Sequence, residues 1–196
     1  MKRPPLYELL ERTGFRTFWS WLYRVELRNA DRIPLEGPVI LAANHESLID
    51  PWLLGLVTPR PIRYMAKAEL WRYPGLRWVM EHFGTFPVER GTGDGAAVSR
   101  AIELLGQGEV LGIFPQGTSK RLARRPYHRG AARLALAAGA TLVPVRILGS
   151  RGFPHPGRHR VVVAVGEPIV VAAERPTVAV AKTLTERLER EIGAAL

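Results

Sequence analysis

Short apolar segments alternate with amphipathic ones along most of this chain of 196 residues. The segments 37–44, 109–115 and 141–148 (GPVILAAN, EVLGIFP and TLVPVRIL) are apolar almost throughout, which is typical of strands that are buried on both faces of a sheet. Between them lie segments with helical spacing of apolar residues, such as 94–108. This order predicts an α/β fold with a mixed, largely parallel sheet flanked by helices.

Local signals place the other elements. Asp50 and Pro51 predict the start of a short helix, with Asp50 as its N-cap and Pro51 as its first residue. The C-terminal segment has one apolar helical face, which consists of Ala181, Leu184, Leu188 and Ile192. The further predicted strands are 61–67, 85–90 and 159–166, and the further predicted helices are 50–57, 68–84 (broken near Pro74) and 129–140.

The first 30 residues differ from the rest in composition, because aromatic and basic residues are concentrated there. Apolar residues at helical spacing are Phe15, Phe18, Trp19 and Leu22, with Trp21 beside them and Arg16, Arg24 and Arg28 on other faces. We therefore expect an N-terminal amphipathic helical segment over 1–30 and the main domain over 31–196. The aromatic face suits either the surface of a bilayer or packing on the protein's own sheet. No apolar stretch is as long as a signal peptide or a membrane span requires.

The formal net charge of +10 comes from one part of the chain. Between Val110 and Gly166 there is no acidic residue, while the rest of the sequence is balanced. Such a stretch favours an anionic partner, and nucleic acid, an anionic lipid surface and a phosphorylated small molecule all fit that description. Its ten basic residues are Lys120, Arg121, Arg124, Arg125, Arg129, Arg133, Arg146, Arg151, Arg158 and Arg160.

His45 and Asp50 are the residues that most strongly suggest catalysis. His45 follows a predicted buried strand, and ligands of parallel α/β sheets bind at the carboxyl ends of the strands. If residues 46–49 curl back, the Asp50 carboxylate can hold one imidazole nitrogen and leave the other as a base. The competing interpretation is an ordinary polar histidine at a strand end.

No protein nucleophile accompanies this base. The chain has no cysteine and no G-x-S-x-G segment. The histidines of HPGRH (155–159) lie among arginines that repel a metal ion. We therefore expect neither a metal nor a bound cofactor, and a base that acts on a hydroxyl of the substrate.

Four blocks in order make the chain similar to the glycerolipid acyltransferases, over roughly residues 30–150. NHESLID (44–50) resembles the N-H-x-x-x-x-D block, and GTFPVER (84–90) resembles G-x-x-F-x-x-R. FPQGTSK (114–120) takes the place of F-P-E-G-T-R-S, and LVPVRI (142–147) resembles the V-P-V block. Two departures are Gln116 in place of glutamate and Ser119 in place of arginine.

The resemblance implies roles for residues at matching positions. His45 and Asp50 would form the catalytic pair, and residues 31–196 would form the acyltransferase domain. Gln116, a neutral amide with the shape of glutamate, leaves the identity of the acceptor less certain than the reaction. The implied substrate-binding residues are Gly84, Phe86, Arg90, Gln116, Gly117 and Thr118, with Lys120 and Arg121 as substitutes for the missing arginine.

The resemblance further implies transfer of a fatty acyl group from acyl-CoA or acyl-carrier protein to lysophosphatidic acid, which yields phosphatidic acid. We expect a peripheral enzyme at the cytoplasmic face of the cell membrane, bound to anionic lipid. The alternatives are another lysolipid or glycerol 3-phosphate as acceptor, a thioesterase, and a basic nucleic-acid-binding protein. The last is disfavoured because the basic stretch lacks interleaved aromatic residues and a groove-binding motif.

Overall fold

The structure, a computed structural model, describes residues 13–89, 94–117, 126–152 and 160–195. In these residues the strands are β1 (Val25–Arg28), β2 (Val39–Ala43), β3 (Ile62–Lys67), β4 (Phe86–Val88), β5 (Val110–Ile113), β6 (Thr141–Leu148) and β7 (Val161–Val165). The α-helices are α1 (Phe15–Leu22), α2 (Asp50–Leu54), α3 (Pro74–His82), α4 (Gly95–Gly106), α5 (Gly130–Ala138) and α6 (Val178–Ala194). Short 3₁₀ helices are Ala30–Arg32, Ala68–Arg72 and Ser150–Gly152.

The strands form one sheet in the order β1-β7-β6-β2-β5-β3-β4. The five strands from β6 to β4 run parallel to one another, whereas β7 is antiparallel to β6 and parallel to β1. The predicted mixed, largely parallel sheet is therefore confirmed. The parallel strands all end at one edge of the sheet, which we call the carboxyl edge.

Strand β2 shows why the central segments are apolar at every position. Val39, Leu41 and Ala43 belong to the core on one face of the sheet, and Ile40 and Ala42 belong to the core on the other. All five are fully buried, because successive side chains of a strand point to opposite faces and both faces are covered. Helices α4, α5 and α6 cover one face, and α2 with the residues that follow it covers part of the other.

The predicted apolar face of the C-terminal helix packs against the sheet. Ala181, Leu188 and Ile192 are buried, and Leu184 is partly buried against the same core. Asp94 is the N-cap of α4, since its side chain accepts a hydrogen bond from the Ala97 N–H.

The N-terminal part of the chain contains an element that the sequence analysis missed. Strand β1 pairs in parallel with β7, so residues from the expected N-terminal segment extend the sheet. Before it, α1 exposes the side chains of Phe18 and Trp21, while residues 1–12 and the side chains of Phe15, Arg16 and Trp19 lie outside the described residues. The division of the chain at residue 30 stays a prediction. In the described part of the chain, no helix combines the length and the apolar composition that a bilayer span requires.

Candidate active site

Asn44 directly follows β2, at the point where the chain turns toward the site. Its side-chain amide donates to the Ile147 carbonyl at 2.8 Å and accepts from the Ile147 N–H at 2.7 Å. The amide thus replaces a peptide unit of the β2–β6 ladder at the point where the backbone leaves the sheet. The sequence analysis assigned no role to Asn44, although an asparagine directly after a buried strand was a usable signal.

Residues 45–50 curl back on themselves, as the proposed pairing of His45 with Asp50 requires. The fully buried Asp50 carboxylate accepts hydrogen bonds through Oδ2 from the backbone N–H groups of Glu46 at 2.6 Å and Ser47 at 2.8 Å. The prediction of Asp50 as N-cap is wrong, because Ile49 occupies that position and Asp50 is the first helical residue. The carboxylate is directed back into its own loop because the amides of Glu46 and Ser47 lie there.

The same carboxylate is hydrogen-bonded to the His45 ring. Its Nδ1 lies 2.9 Å from Asp50 Oδ2, and the side chain is 16% exposed. Since an ionised carboxylate only accepts hydrogen bonds, Nδ1 carries the proton and Nε2 presents its lone pair. The described residues place no hydrogen-bond partner at Nε2, so this nitrogen is available to a substrate proton.

The FPQG turn after β5 lies beside His45. Gly117, at φ +72°, donates its N–H to the Phe114 carbonyl at 3.0 Å, and this turn directs Gln116 toward the end of β2. The Gln116 Oε1 accepts the His45 backbone N–H at 2.6 Å. Gln116 thus supports the loop that carries the histidine. Its predicted role toward the acceptor stays a prediction.

The rings of Phe114 and Tyr64 form a row with the imidazole. Phe114 stacks on His45 with ring centroids 4.2 Å apart, and Tyr64 lies parallel to Phe114 with centroids 6.5 Å apart. Tyr64 was not among the predicted site residues, because only the sheet order makes β3 a neighbour of β5.

The other predicted binding residues are only partly described. Gly84, at φ +71°, ends the turn after α3, and Phe86 packs against the core. These placements agree with structural roles, and their contact with substrate stays a prediction. Arg90 lies outside the described residues, as do Thr118, Lys120 and Arg121.

Hydrogen bonds of Asp94 hold the described residue next to Arg90. Asp94 accepts the Glu89 N–H at 3.0 Å through one oxygen and the Ala97 N–H through the other. These backbone hydrogen bonds hold the pKa of Asp94 below its usual value. Glu89 is therefore held just beyond the carboxyl end of β4.

The described arginines of the basic stretch do not form a uniform free surface. Arg151, in the short helix after β6, donates to Glu46 at 2.8 Å and so connects that helix to the loop of His45. Arg160 pairs with Glu26, and Arg146 donates to the Gly193 carbonyl. Arg129 and Arg133 are exposed. In the described ranges no cluster of histidines and acidic residues is placed to hold a metal ion.

A mostly parallel α/β sheet with a histidine–aspartate pair at its carboxyl edge matches a known enzyme class. Residues 24–148 fit the model of the family described as Acyltransferase. The chain belongs to this family, which confirms the resemblance noted in the sequence.

Particular relatives narrow the class further. The chain is 31% identical to a 1-acyl-sn-glycerol-3-phosphate acyltransferase of Bacillus subtilis over 86% of each chain. It is 35% identical to a lyso-ornithine lipid O-acyltransferase of Pseudomonas aeruginosa, over 67% of this chain and 52% of that protein. The crystal structure of PlsC, the 1-acyl-sn-glycerophosphate acyltransferase of Thermotoga maritima, superposes with a TM-score of 0.71 at 25% identity, over 96% of this chain and 78% of PlsC.

Proposed function

We propose that this chain transfers a fatty acyl group from acyl-CoA or acyl-carrier protein to the free hydroxyl of lysophosphatidic acid. The observation that carries the proposal is the 2.9 Å contact between His45 Nδ1 and the buried Asp50 carboxylate. This contact leaves the other imidazole nitrogen as a base at the carboxyl edge of the sheet.

The reaction needs one proton acceptor and one carboxylate. His45 Nε2 takes the hydroxyl proton while the oxygen attacks the thioester carbonyl. Asp50 holds the imidazole in the required tautomer and stabilises its positive form. When the tetrahedral intermediate collapses, the carbon–sulfur bond breaks and the imidazolium returns the proton to the leaving thiolate. Backbone N–H groups stabilise the intermediate's oxyanion.

The acceptor's phosphate lies toward β4 in this proposal. Arg90, with Lys120 or Arg121, binds the phosphate through its guanidinium group, which matches phosphate geometry.

A second acceptor is favoured by two observations. Gln116 stands at the position of the family's glutamate, and a 35% identical relative is named for a lyso-ornithine lipid. An acceptor of that kind has no phosphate. Its ornithine carboxylate pairs with a guanidinium as a phosphate does, so the product identified by mass distinguishes the two candidates.

We also propose a peripheral position at the cytoplasmic face of the cell membrane. The side chains of Phe18 and Trp21 are 54% and 73% exposed on α1, with ring centroids 6.4 Å apart. Exposed aromatic rings beside basic residues suit the interface of an anionic bilayer.

Replacement of His45 by alanine tests the proposal. The purified protein is offered acyl-CoA, or acyl-carrier protein, with lysophosphatidic acid, lyso-ornithine lipid and glycerol 3-phosphate, and products are identified by mass. We expect phosphatidic acid from the wild type. We expect a loss of rate of about 10²–10⁴-fold in the variant, since its general base is missing.

His82→Ala is the matched control, since His82 is a half-buried histidine on α3 whose ring stacks on Trp78. It should retain the wild-type rate. Near-full transfer by a folded His45→Ala protein would contradict the proposal, and free fatty acid without acceptor would identify a thioesterase instead.

A further inference from the structure

We propose that a stack of rings from Tyr64 through Phe114 to His45 positions the catalytic imidazole, and that Gly112 provides the space that the stack needs. This inference rests on the proposed role of His45 as the base. Tyr64, Phe114 and Gly112 are positioning residues, because they act through His45 and need not touch the reacting atoms.

The Asp50 contact alone does not orient the imidazole. A single hydrogen bond at Nδ1 fixes one atom of the ring and leaves its tilt about that atom free. Phe114 removes this freedom, because its ring lies on the face of His45 with centroids 4.2 Å apart and an interplanar angle of 25°. The direction of the Nε2 lone pair is therefore set by two contacts together.

Tyr64 connects both of these contacts. Its ring is parallel to that of Phe114 within 8°, and its hydroxyl donates to the Pro51 carbonyl at 2.6 Å. Pro51 directly follows Asp50. One side chain from β3 thus supports the ring behind His45 and the short helix that carries the carboxylate.

Gly112 explains how Tyr64 reaches this position. The two residues are partners in the β3–β5 register. A Cβ atom at position 112 would lie 2.3 Å from Cε1 and 2.7 Å from Cδ1 of Tyr64, far inside van der Waals contact. A glycine in a strand interior normally weakens the strand. Here it leaves room for the Tyr64 ring to lie across β5.

Variants of Tyr64 and Gly112 separate positioning from folding. Tyr64→Leu removes the ring, Gly112→Ala displaces it, and Tyr64→Phe keeps it while losing the hydroxyl bond. We expect Tyr64→Leu and Gly112→Ala to lower kcat on the order of 10²-fold with KM unchanged, because misplacing a reacting group by about 1 Å has that effect. Tyr64→Phe should lose less than Tyr64→Leu.

A second readout reports on the histidine itself. In nitrogen-15 spectra of the imidazole, the wild type should show one tautomer with the proton on Nδ1. Tyr64→Leu should show a mixture, because a tilted ring loses the Asp50 hydrogen bond that sets the tautomer. In the Tyr64→Leu background, adding Gly112→Ala should cost less than it does in the wild type, because the ring is gone and Ile62 Cγ2, 2.9 Å from the added Cβ, is the close contact that remains.

Matched controls come from sites without these contacts. Tyr73→Leu changes an exposed tyrosine, and Gly106→Ala adds a Cβ that meets nothing within 4 Å. Both should keep the wild-type kcat. If Gly112→Ala does not fold, Tyr64→Leu and Phe114→Leu decide the question.

Two results would overturn the inference. One is a folded Tyr64→Leu protein with kcat within about twofold of wild type, and the other is a lowered kcat with the His45 tautomer unchanged. His45→Ala is assayed alongside, and full activity in that variant would reject the proposed function instead. The tautomer spectrum does not depend on activity, so the two failures are distinguishable.

Discussion

Gln116 preserves a hydrogen bond to the loop of His45. Its Oε1 accepts the His45 N–H at 2.6 Å, and a glutamate at this position would offer an oxygen of the same geometry. The departure from the family block therefore preserves the hydrogen bond and removes one negative charge. The missing charge changes the electrostatic field that an acceptor meets beside the base.

The partly buried phenol of Tyr127 predicts that the stability of the protein falls at alkaline pH. Burial raises the pKa of its phenol to about 12, with the negative charges of Glu189 and Glu46 acting in the same direction and Arg146 against it. The folded protein thus keeps a proton that the unfolded chain releases at the ordinary tyrosine pKa of 10.0. The contribution of this group to stability is present below about pH 10 and is lost as the pH rises toward about 12.

Tyr127→Phe should remove this part of the alkaline loss. Denaturant unfolding of both proteins at several pH values from about 9 upward measures the free energy of unfolding. We expect the difference between the two proteins to change across that window. Parallel curves would show that Tyr127 does not titrate abnormally.

At the scale of elements, the strands and helices were predictable wherever one periodicity dominated. Strands β2, β5 and β6 are apolar almost throughout because both of their faces are covered. Strand β1 was missed because it has only four residues (VELR) with mixed polarity, and such a segment becomes a strand only when β7 is beside it. The pairing of β6 with β7 in opposite directions likewise depends on tertiary contacts.

The pair Arg63–Glu109 joins β3 to the start of β5 and predicts a large stability effect. The guanidinium donates to both carboxylate oxygens, at 2.7 and 3.0 Å, and the side chains are 15% and 3% exposed. Glu109→Ala should destabilise the protein by roughly 3–5 kcal/mol, because it leaves a buried cation unpaired. Denaturant unfolding measures the change.

The exposed pair Arg77–Glu81 on α3 is the matched control, with both side chains 45% exposed or more. Glu81→Ala should cost about 1 kcal/mol or less. Replacing Arg63 and Glu109 together by Met and Leu should recover much of the loss. Equal losses from Glu109→Ala and Glu81→Ala would contradict this assignment.

At the scale of the whole molecule, less of the positive charge in the basic stretch is available to an anionic partner than the sequence suggested. Of the five described arginines in the basic stretch, Arg146, Arg151 and Arg160 bind the protein's own carbonyl or carboxylate groups. Arg151 and Arg160 are exposed as well, but their ion pairs offset part of their charge. Attraction to an anionic surface therefore depends mainly on Arg129 and Arg133, with the basic residues outside the described ranges.

Binding to anionic vesicles tests the proposed membrane contact. We expect the protein to sediment with phosphatidylglycerol vesicles at low salt and to be released as salt rises, because screening shortens from about 30 Å at 0.01 M to about 10 Å at 0.1 M. Phe18→Ser with Trp21→Ser should weaken sedimentation, since the exposed aromatic rings of α1 are lost.

Leu35→Ser with Val170→Ser is the matched control, because these apolar side chains are 71% and 85% exposed elsewhere. This variant should bind like the wild type. Failure to bind at low salt would reject the membrane contact, and a salt-dependent shift of RNA without acyl transfer would favour the nucleic-acid alternative.

By itself, the sequence determined the fold class, the places of most strands and helices, and the pairing of His45 with Asp50. All of these follow from periodicity or from residues within five positions of each other, where chain geometry leaves few choices. The family blocks belong to this group, because their order and spacing are visible without a structure.

Only the tertiary structure decided what surrounds that pair. The Asn44 contact with Ile147, the Gln116 contact with His45 N–H and the stack from Tyr64 to His45 each join residues that are at least 50 positions apart. They form because β6, β2, β5 and β3 are neighbours in the sheet. Strand order results from long-range packing, and no local pattern of residues encodes it.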